Sequence, residues 1–462
     1  MKFYQDLVKV GDNEQARIDF VFSAIREHKE SEMYQWADVA NDYARQQNRT
    51  IMEYQKLLYT LSGKAVPDNF SANYKLCSNF FDRFVTQLNQ YLLGNGVTFS
   101  EESVQEKLGD DFDYKVQDAG YRALVEGRSF GFWNFDHLEV FGLTEFVPLY
   151  DEDNGALKAG IRFWQLADNK PLRAILYEID GVTEYIWNKR DNEKGETELY
   201  GAIYKEKTAY VTKYTFTKAD GMRIYDGQNY ETFPIVPLYA NRYKQSELVG
   251  MRENIDAYDL IKSGFANDLD DASQIYWTIT NAGGMDDMDL TRFLERLKTV
   301  KATTLDNQEQ AEAHTIDVPY AGREAILERL RVDMYDDFMA LDPKQIAGGA
   351  VTATQIQASY EPLNQKTDKF EYQVTMFIQG ILNIIGIDDM PTYTRSTIVN
   401  KSEEIGLVIQ SAMFLTPEYC TRKILTLLGD ADDIDEVLEE IQKATNTGMG
   451  AESEVEDEET EV

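Results

Sequence analysis

Catalysis needs nucleophiles, general acids and bases, or metal ligands at workable spacing, and this sequence holds few of them. Its three histidines are His28, His137 and His314. None lies in an H-E-x-x-H pattern, which would set two imidazoles on one helix face for zinc. There is no G-x-x-x-x-G-K-[ST] loop to cradle phosphates and no G-x-S-x-G elbow to present a serine. The two cysteines, Cys77 and Cys420, have neither metal nor disulfide spacing and read as small hydrophobes of a chain folded in a reducing compartment. The run DEDNG at Asp151 to Gly155 opens like a calcium loop. That loop needs Gly at its sixth position and Glu at its twelfth, where this chain has Ala156 and Arg162, so a β-turn is the better reading. No metal or cofactor is expected. A dispersed carboxylate site, as in a hydrolase, stays open in a chain so rich in acid.

A second candidate is NQYLLGNGVTFS, Asn89 to Ser100. Glycines that bind phosphate follow a strand and open a helix. Here the order is reversed, because an apolar-periodic run precedes Gly94 and a β-type run follows Gly96. The spacing of Tyr74, Cys77, Phe81, Phe84, Leu88 and Tyr91 predicts an amphipathic helix over 71–93, with Gly94 as its left-handed cap. The stretch is punctuation between elements.

The 462 residues allow two to four domains, and 43% hydrophobic with 12% aromatic content supports a large core. No run is apolar and long enough for a membrane helix, and MKFYQDLVKVGDNE turns charged too early for a secretory leader. The net charge of −35 disfavours a protein that grips nucleic acid through phosphates, which takes clustered Lys and Arg. An acidic wall is compatible with letting DNA pass without sticking, or simply with solubility.

Residues 112–240 begin with a helix, DYKVQDAGYRALVEG, and then read as strands: SFGFWNFD, TEFVPLY, AGIRFWQL, RAILYEI, TEYIWNK, AYVTKYTFT and RIYDG. DNG, IDG and ADG turns separate several of them. Their alternation predicts a sheet with one wet face, and Pro234 and Pro237 suit FPIVPLYAN to an edge. From Ser246, a plausible N-cap, the apolar residues Leu248, Met251, Ile255, Tyr258, Ile261, Phe265 and Leu269 mark one face of a helix roughly 40 Å long. A mixed insert follows, with a short helix at Leu290 to Leu297 between strands. A second helix runs from Arg323, with Ile326, Leu330, Met334, Phe338 and Leu341 on one face. The loop DPKQIAGGAVTATQ is apolar and glycine-hinged at Gly348 and Gly349, so it is either a buried connection or a contact surface. A third helix, about Thr354 to Ile385, carries Ile356, Tyr360, Leu363, Phe370, Val374, Phe377, Ile381 and Ile384, and Pro362 inside it predicts a kink near 358–362. Two or three C-terminal helices follow, one opened by Thr416 and Pro417. The acidic tail from Gly448 is expected to be disordered.

In this order the parts resemble the portal proteins of tailed bacteriophages, siphophage type, over about 70–445. The segments that carry the resemblance are NYKLCSNFFDRFVTQLNQYLLGNGVTF, EFVPLYDEDNGALKAGIRFW, FPIVPLYANRYKQSELVGMRENIDAYDLIKSGFANDLDD and TPEYCTRKILTLLGDADDIDEVLEEI. Asn95 stands where a lysine or similar residue is common, and the first 60 residues lie outside the match. The resemblance implies an α+β portal fold: a wing at 1–243 and 354–395, stem helices at 244–272 and 320–341, a clip at 273–319, a channel loop at 342–353, a crown at 396–447 and a tail at 448–462. It implies a ring of about twelve copies at one capsid vertex of the virion, assembled in the host cytoplasm, with no enzymatic activity and no membrane contact. Implied partners are double-stranded DNA passing non-specifically, the terminase large subunit, major capsid and scaffold proteins, and a head-completion adaptor. Lys344, Gln345, Ile346, Gly348, Gly349 and Val351 become the channel-loop contacts with DNA, with Gly348, Gly349 and Pro362 as hinge or kink. Trp277, Arg292, Arg296 and Lys298 become the clip's partner-binding residues. Another ring-forming head–tail connector is the runner-up.

Overall fold

The computed structural model describes residues 2–59, 63–68, 71–191, 197–217, 223–272, 276–280, 288, 310–314, 320–346, 353–396, 401–428 and 437–438. The chain forms two compact units, one of Met1–Ala340 with Leu363–Arg395, the other of Leu341–Pro362 with Ser396–Val462.

The first unit is built around a five-stranded antiparallel meander of Phe146–Tyr150, Leu157–Trp164, Leu172–Glu178, Gly181–Asp191 and Thr197–Thr208. Side chains alternate along each strand, so one strand supplies two cores. Val147 and Leu149 join Ile161, Phe163, Leu176 and Trp187 beneath Phe20, Val21, Ala24 and Ile25 of the helix Glu14–Lys29. Phe146 and Tyr177 point the other way, into a cluster with Phe130, Phe132, Phe141 and Ile235 from a three-stranded sheet. The expectation of a wet face is therefore corrected: the centre of the sheet is covered on both sides. Gly160 is required there, because a Cβ would fall 1.9 Å from the Phe146 ring.

In the three-stranded sheet Arg128–Asn134 lies between Ile235–Tyr239 and His137–Gly142. Pro237 sits on the edge strand, as its missing N–H demands. Asp151 to Gly155 is the turn between two strands of the meander, closed by Gly155 N donating to the Asp151 carbonyl at 2.9 Å.

Three local expectations are corrected. The amphipathic helix starts at Phe80, not at Ser71, and spans Phe80–Leu93. Gly94 keeps a right-handed φ of −62°, and the left-handed glycine is Gly96 at φ 77°. Ser246 caps a tight turn, its Oγ accepting from Leu248 N at 3.1 Å, and the long helix begins at Arg252.

The remaining long helices are Arg252–Ala272, Tyr320–Phe338 and Ala353–Ile384. The last is helical through Pro362, and the division between the two units falls at that proline. Of its expected stripe Tyr360, Leu363, Phe370, Val374, Phe377 and Ile381 are buried, while Ile356 and Ile384 at its ends are half-buried. Lys401–Ser411 and Pro417–Leu428 are the C-terminal helices, the second capped by Thr416 Oγ1 accepting from Tyr419 N at 3.3 Å. The short helix expected at 290–297 and the acidic tail lie outside the described residues. No described helix is long and apolar enough to cross a membrane.

Candidate functional site

Two long helices run antiparallel around the insert. Phe265 meets Tyr320 edge-on at 5.7 Å, and Arg323 lies over Phe265 at 5.8 Å while pairing with Asp268. Toward the other end Asn254 Nδ2 donates to Asp337 Oδ2 at 3.1 Å. At their base, the start of the helix Phe80–Leu93 touches both: Phe80 packs on Tyr258 at 5.0 Å, and Phe84 stacks on Phe338 at 5.0 Å. The insert opens and closes with the strands Tyr276–Thr280 and Gln310–His314, paired antiparallel.

The far side of Arg252–Ala272 carries a feature that periodicity did not foresee. Asp259 Oδ1 accepts the main-chain N–H of Ser78 at 2.9 Å, Ser263 Oγ that of Leu76 at 3.0 Å, and Asn267 Oδ1 that of Tyr74 at 2.6 Å. Four helical residues advance about 6.0 Å and two extended residues about 6.6 Å, so alternate residues of a strap can zip onto every fourth residue of a helix. This explains why 71–79 is not helical: donors at 74, 76 and 78 are claimed by the long helix. It also reverses part of the expected burial. Asp259 is 0% exposed, whereas Leu269, expected in the core, is 43% exposed. Ile326 of the second helix is likewise 51% exposed, against its expected place on the buried face.

Two contacts fix the end of Tyr320–Phe338. Met339 takes a left-handed φ of 62°, with its N–H on the Asp336 carbonyl at 3.0 Å and Ala340 N on the Tyr335 carbonyl at 2.9 Å. Those two bonds close the helix as a glycine cap would. On the return side Lys366 places its Nζ 2.6 Å from Glu247 Oε2 and 3.4 Å from the centre of the Phe338 ring. Burial pulls the Lys366 pKa down and the Glu247 carboxylate opposes that shift. Asn241 Nδ2 steadies the second Glu247 oxygen at 2.8 Å. One half-buried cation thus joins the residues before the first long helix, the end of the second and the middle of the return helix.

Of the expected channel-loop residues, Lys344, Gln345 and Ile346 share the short helix Pro343–Ile346, with Lys344 and Gln345 exposed. Asp342 supports that turn, accepting Lys344 N at 3.1 Å on Oδ1. Gly348, Gly349 and Val351 lie outside the described residues, as do Arg292, Arg296 and Lys298 of the insert. Trp277 is in the strand Tyr276–Thr280, opposite Ala313. The structure brings together Lys344, Gln345 and Ile346, and separates Trp277 from them in sequence and element.

Two buried carboxylates have structural partners. Burial raises the Asp259 pKa against the hydrogen bonds from Asn48 and Ser78, and raises that of Glu126 against those from Asn41 Nδ2 at 3.0 Å and Thr144 N at 2.9 Å. His28 is buried, with Nε2 2.8 Å from the Leu143 carbonyl, and burial lowers its pKa to about 4. Among the described residues no cluster of His, Cys, Asp and Glu can hold a metal ion.

Comparison with known proteins places this architecture. The family model described as phage portal protein, SPP1 Gp6-like, matches residues 40–447. A portal protein of Clostridium phage phiCD119 is 25% identical over 397 residues, covering 79% of this chain and 84% of the relative. A portal protein of Bacillus phage SPP1 is 24% identical over 394 residues, covering 78% of this chain and 74% of the relative.

Proposed function

Because this chain belongs to the SPP1 Gp6-like family of phage portal proteins, a structural component of the virion, we propose that it forms a ring of about twelve subunits at one capsid vertex. The ring is the conduit for genome packaging and ejection, and docks the terminase first and head-completion proteins afterwards. The observation that carries the reading is the extent of the family match, residues 40–447, which spans the sheets, the helix pair with its insert and the C-terminal helices together.

In this reading the wing is 1–243 with the return helix 354–395, the stem is 244–272 with 320–341, and the crown is 396–447. The clip is 273–319, where Trp277, Arg292, Arg296 and Lys298 meet the adaptor. The loop 342–353 faces the channel. A ring passing DNA must touch it without holding it, and the loop suits that: Lys344 is its one basic residue, and Ile346, Ala347, Ala350 and Val351 are apolar around two glycines. The loop contacts DNA through apolar and main-chain groups. The left-handed cap at Met339 supports this role, because it ends the second long helix just before the loop.

The test is negative-stain electron microscopy of the full chain, with end-on views averaged without imposed symmetry. Rings of about twelve subunits with a central channel are expected. A monomer or dimer that persists at high concentration with scaffold protein added overturns the reading. For the loop, Val351→Asp is expected to impair packaging more than Lys344→Ala, and the reverse order refutes the apolar contact.

A further inference from the structure

In a chain of 81 acidic and 46 basic side chains, cations that stand together without a carboxylate need a reason. Such a group sits where the edge strand Ile235–Tyr239 ends beside the start of Arg128–Asn134, with Tyr239 paired to Arg128. The Arg128 guanidinium lies 5.8 Å from the centre of the Tyr239 ring, and Lys244 Nζ lies 4.3 Å from the same centre. Arg128 Nη1 donates to the Tyr150 hydroxyl at 3.2 Å and Nη2 to the Lys244 carbonyl at 3.0 Å. Both acceptors are neutral, and Arg128 Nε is buried with no hydrogen-bond partner. Arg242 lies over the Tyr243 ring at 4.7 Å. Among the described residues none of these three cations pairs with a carboxylate. From Thr232 to Gln245 the chain carries Arg242 and Lys244 and no acid.

The turn that presents two of them is built by hydrogen bonds. Asn241 Oδ1 accepts from Tyr243 N at 3.0 Å, Asn241 Nδ2 donates to the Gln245 carbonyl at 3.0 Å, and Lys244 N donates to the Asn241 carbonyl at 3.0 Å. Arg242, Tyr243 and Lys244 are exposed on it. Lys244 takes a left-handed φ of 58°, a conformation that favours Gly or Asn. Backbone shape alone does not select a lysine there. Partial burial and the Arg128 charge lower the Lys244 pKa, and no carboxylate opposes them. Burial raises the Tyr239 pKa, the neighbouring Tyr150 hydroxyl adds to that, and Arg128 opposes it. The surroundings of the two cations are therefore phenols, not acids.

Uncompensated cations beside hydroxyls are what an oxyanion takes up. Arg128 keeps a second N–H on each terminal nitrogen and Lys244 has three, and a phosphate brings them more oxygens than a carboxylate does. We propose that Arg128 and Lys244, with Arg242 on the same turn, form a receptor for one phosphate group, either inorganic phosphate or a phosphodiester of DNA. The net charge of −35 opposes any wider contact, so the grip is local and readily released. The DNA source rests on the conduit reading, and the free ion does not.

The test uses the full chain, unmodified and as Lys244→Asn. Asparagine suits the left-handed backbone, so the turn is kept while the charge is removed. In one arm inorganic phosphate replaces chloride at constant ionic strength and thermal unfolding is followed. In the other a short duplex DNA is titrated at several salt concentrations by fluorescence anisotropy. The variant is expected to bind phosphate about tenfold more weakly, the loss of one hydrogen bond to a charged group. Its salt slope for DNA is expected to be shallower by about 0.9, one phosphate contact fewer. A difference in the phosphate arm alone identifies the free ion as the ligand, and a difference in the DNA arm alone identifies the backbone. Identical behaviour of the two proteins in both arms overturns the site. So does a variant that changes only the concentration at which copies assemble, which assigns the cluster to a carboxylate of a second copy. The phosphate arm needs no ring, so a chain that forms none refutes the conduit and leaves that arm to decide the site.

Discussion

Replacing Lys366 by Met tests whether a half-buried charge ties the end of Tyr320–Phe338 to the return helix. The substitution keeps the length of the side chain and removes the ammonium. Glu247, half-buried, then keeps Asn241 Nδ2 as a side-chain hydrogen-bond donor at 2.8 Å. Breaking one partner of a buried pair costs about 3–5 kcal/mol, because the other charge is left uncompensated. The contact at 3.4 Å over the Phe338 ring adds about 1–2 kcal/mol for a desolvated cation. The thioether regains part of that by packing on the same ring. A net loss of about 3–5 kcal/mol is expected. The double variant Lys366→Met with Glu247→Gln removes both charges, and is expected to recover at least half of the loss. Urea denaturation gives the global figure. Hydrogen exchange of the amides around Phe338 and Lys366 reports whether the opening is local to that junction. The reasoning is refuted if the single variant costs less than about 1 kcal/mol, or if the double variant is no better than the single one.

Asp259→Ala leaves the Ser78 N–H and Asn48 Nδ2 without the acceptors they now use. It is expected to destabilise by about 3 kcal/mol and to deprotect the strap amides of 74–78 in hydrogen exchange. The His28 imidazole, held neutral with its pKa lowered from 6.5 to about 4, makes stability fall as pH drops from about 6.5 to about 4, by up to roughly 3 kcal/mol. Asp259 and Glu126, whose raised pKa values act with the opposite sign, are shared with a His28→Asn variant. The difference between the two denaturation-versus-pH curves therefore isolates the histidine, and parallel curves would rule it out.

The strands were legible because period-two alternation and the DNG and IDG turns reinforce one another, and the return helix because its apolar stripe runs over eight turns. The helix at 80–93 was read nine residues too long, since Tyr74 and Cys77 fall by chance on its period. Which element wins those backbone donors is decided by a helix nearly two hundred residues away, and local periodicity carries no such information. The signal was present on the other partner. Asp259, Ser263 and Asn267 recur at four-residue spacing on a long helix, and a polar stripe of that kind marks a surface that receives main chain. The Lys366 clamp left no trace, as a lone lysine on a helix reads as solvated. Ile326 and Leu269 sit on the apolar faces that spacing assigns them, but toward the insert those faces lose the cover that buries Ile255, Met334 and Phe338 at the other end.

The zipped strap has a consequence for how such a chain can drift. The three bonds from Tyr74, Leu76 and Ser78 are donated by their main-chain N–H groups, so the identity of those side chains does not make them. Any residue but proline supplies the same N–H. The demand falls on the helix, where 259, 263 and 267 must each present a short acceptor. A lineage can therefore rewrite the strap's spelling freely while keeping its geometry, and a variant library over these six positions would show tolerance on one partner and intolerance on the other. An asymmetry of that kind is one way for chains only a quarter identical to keep an equivalent junction.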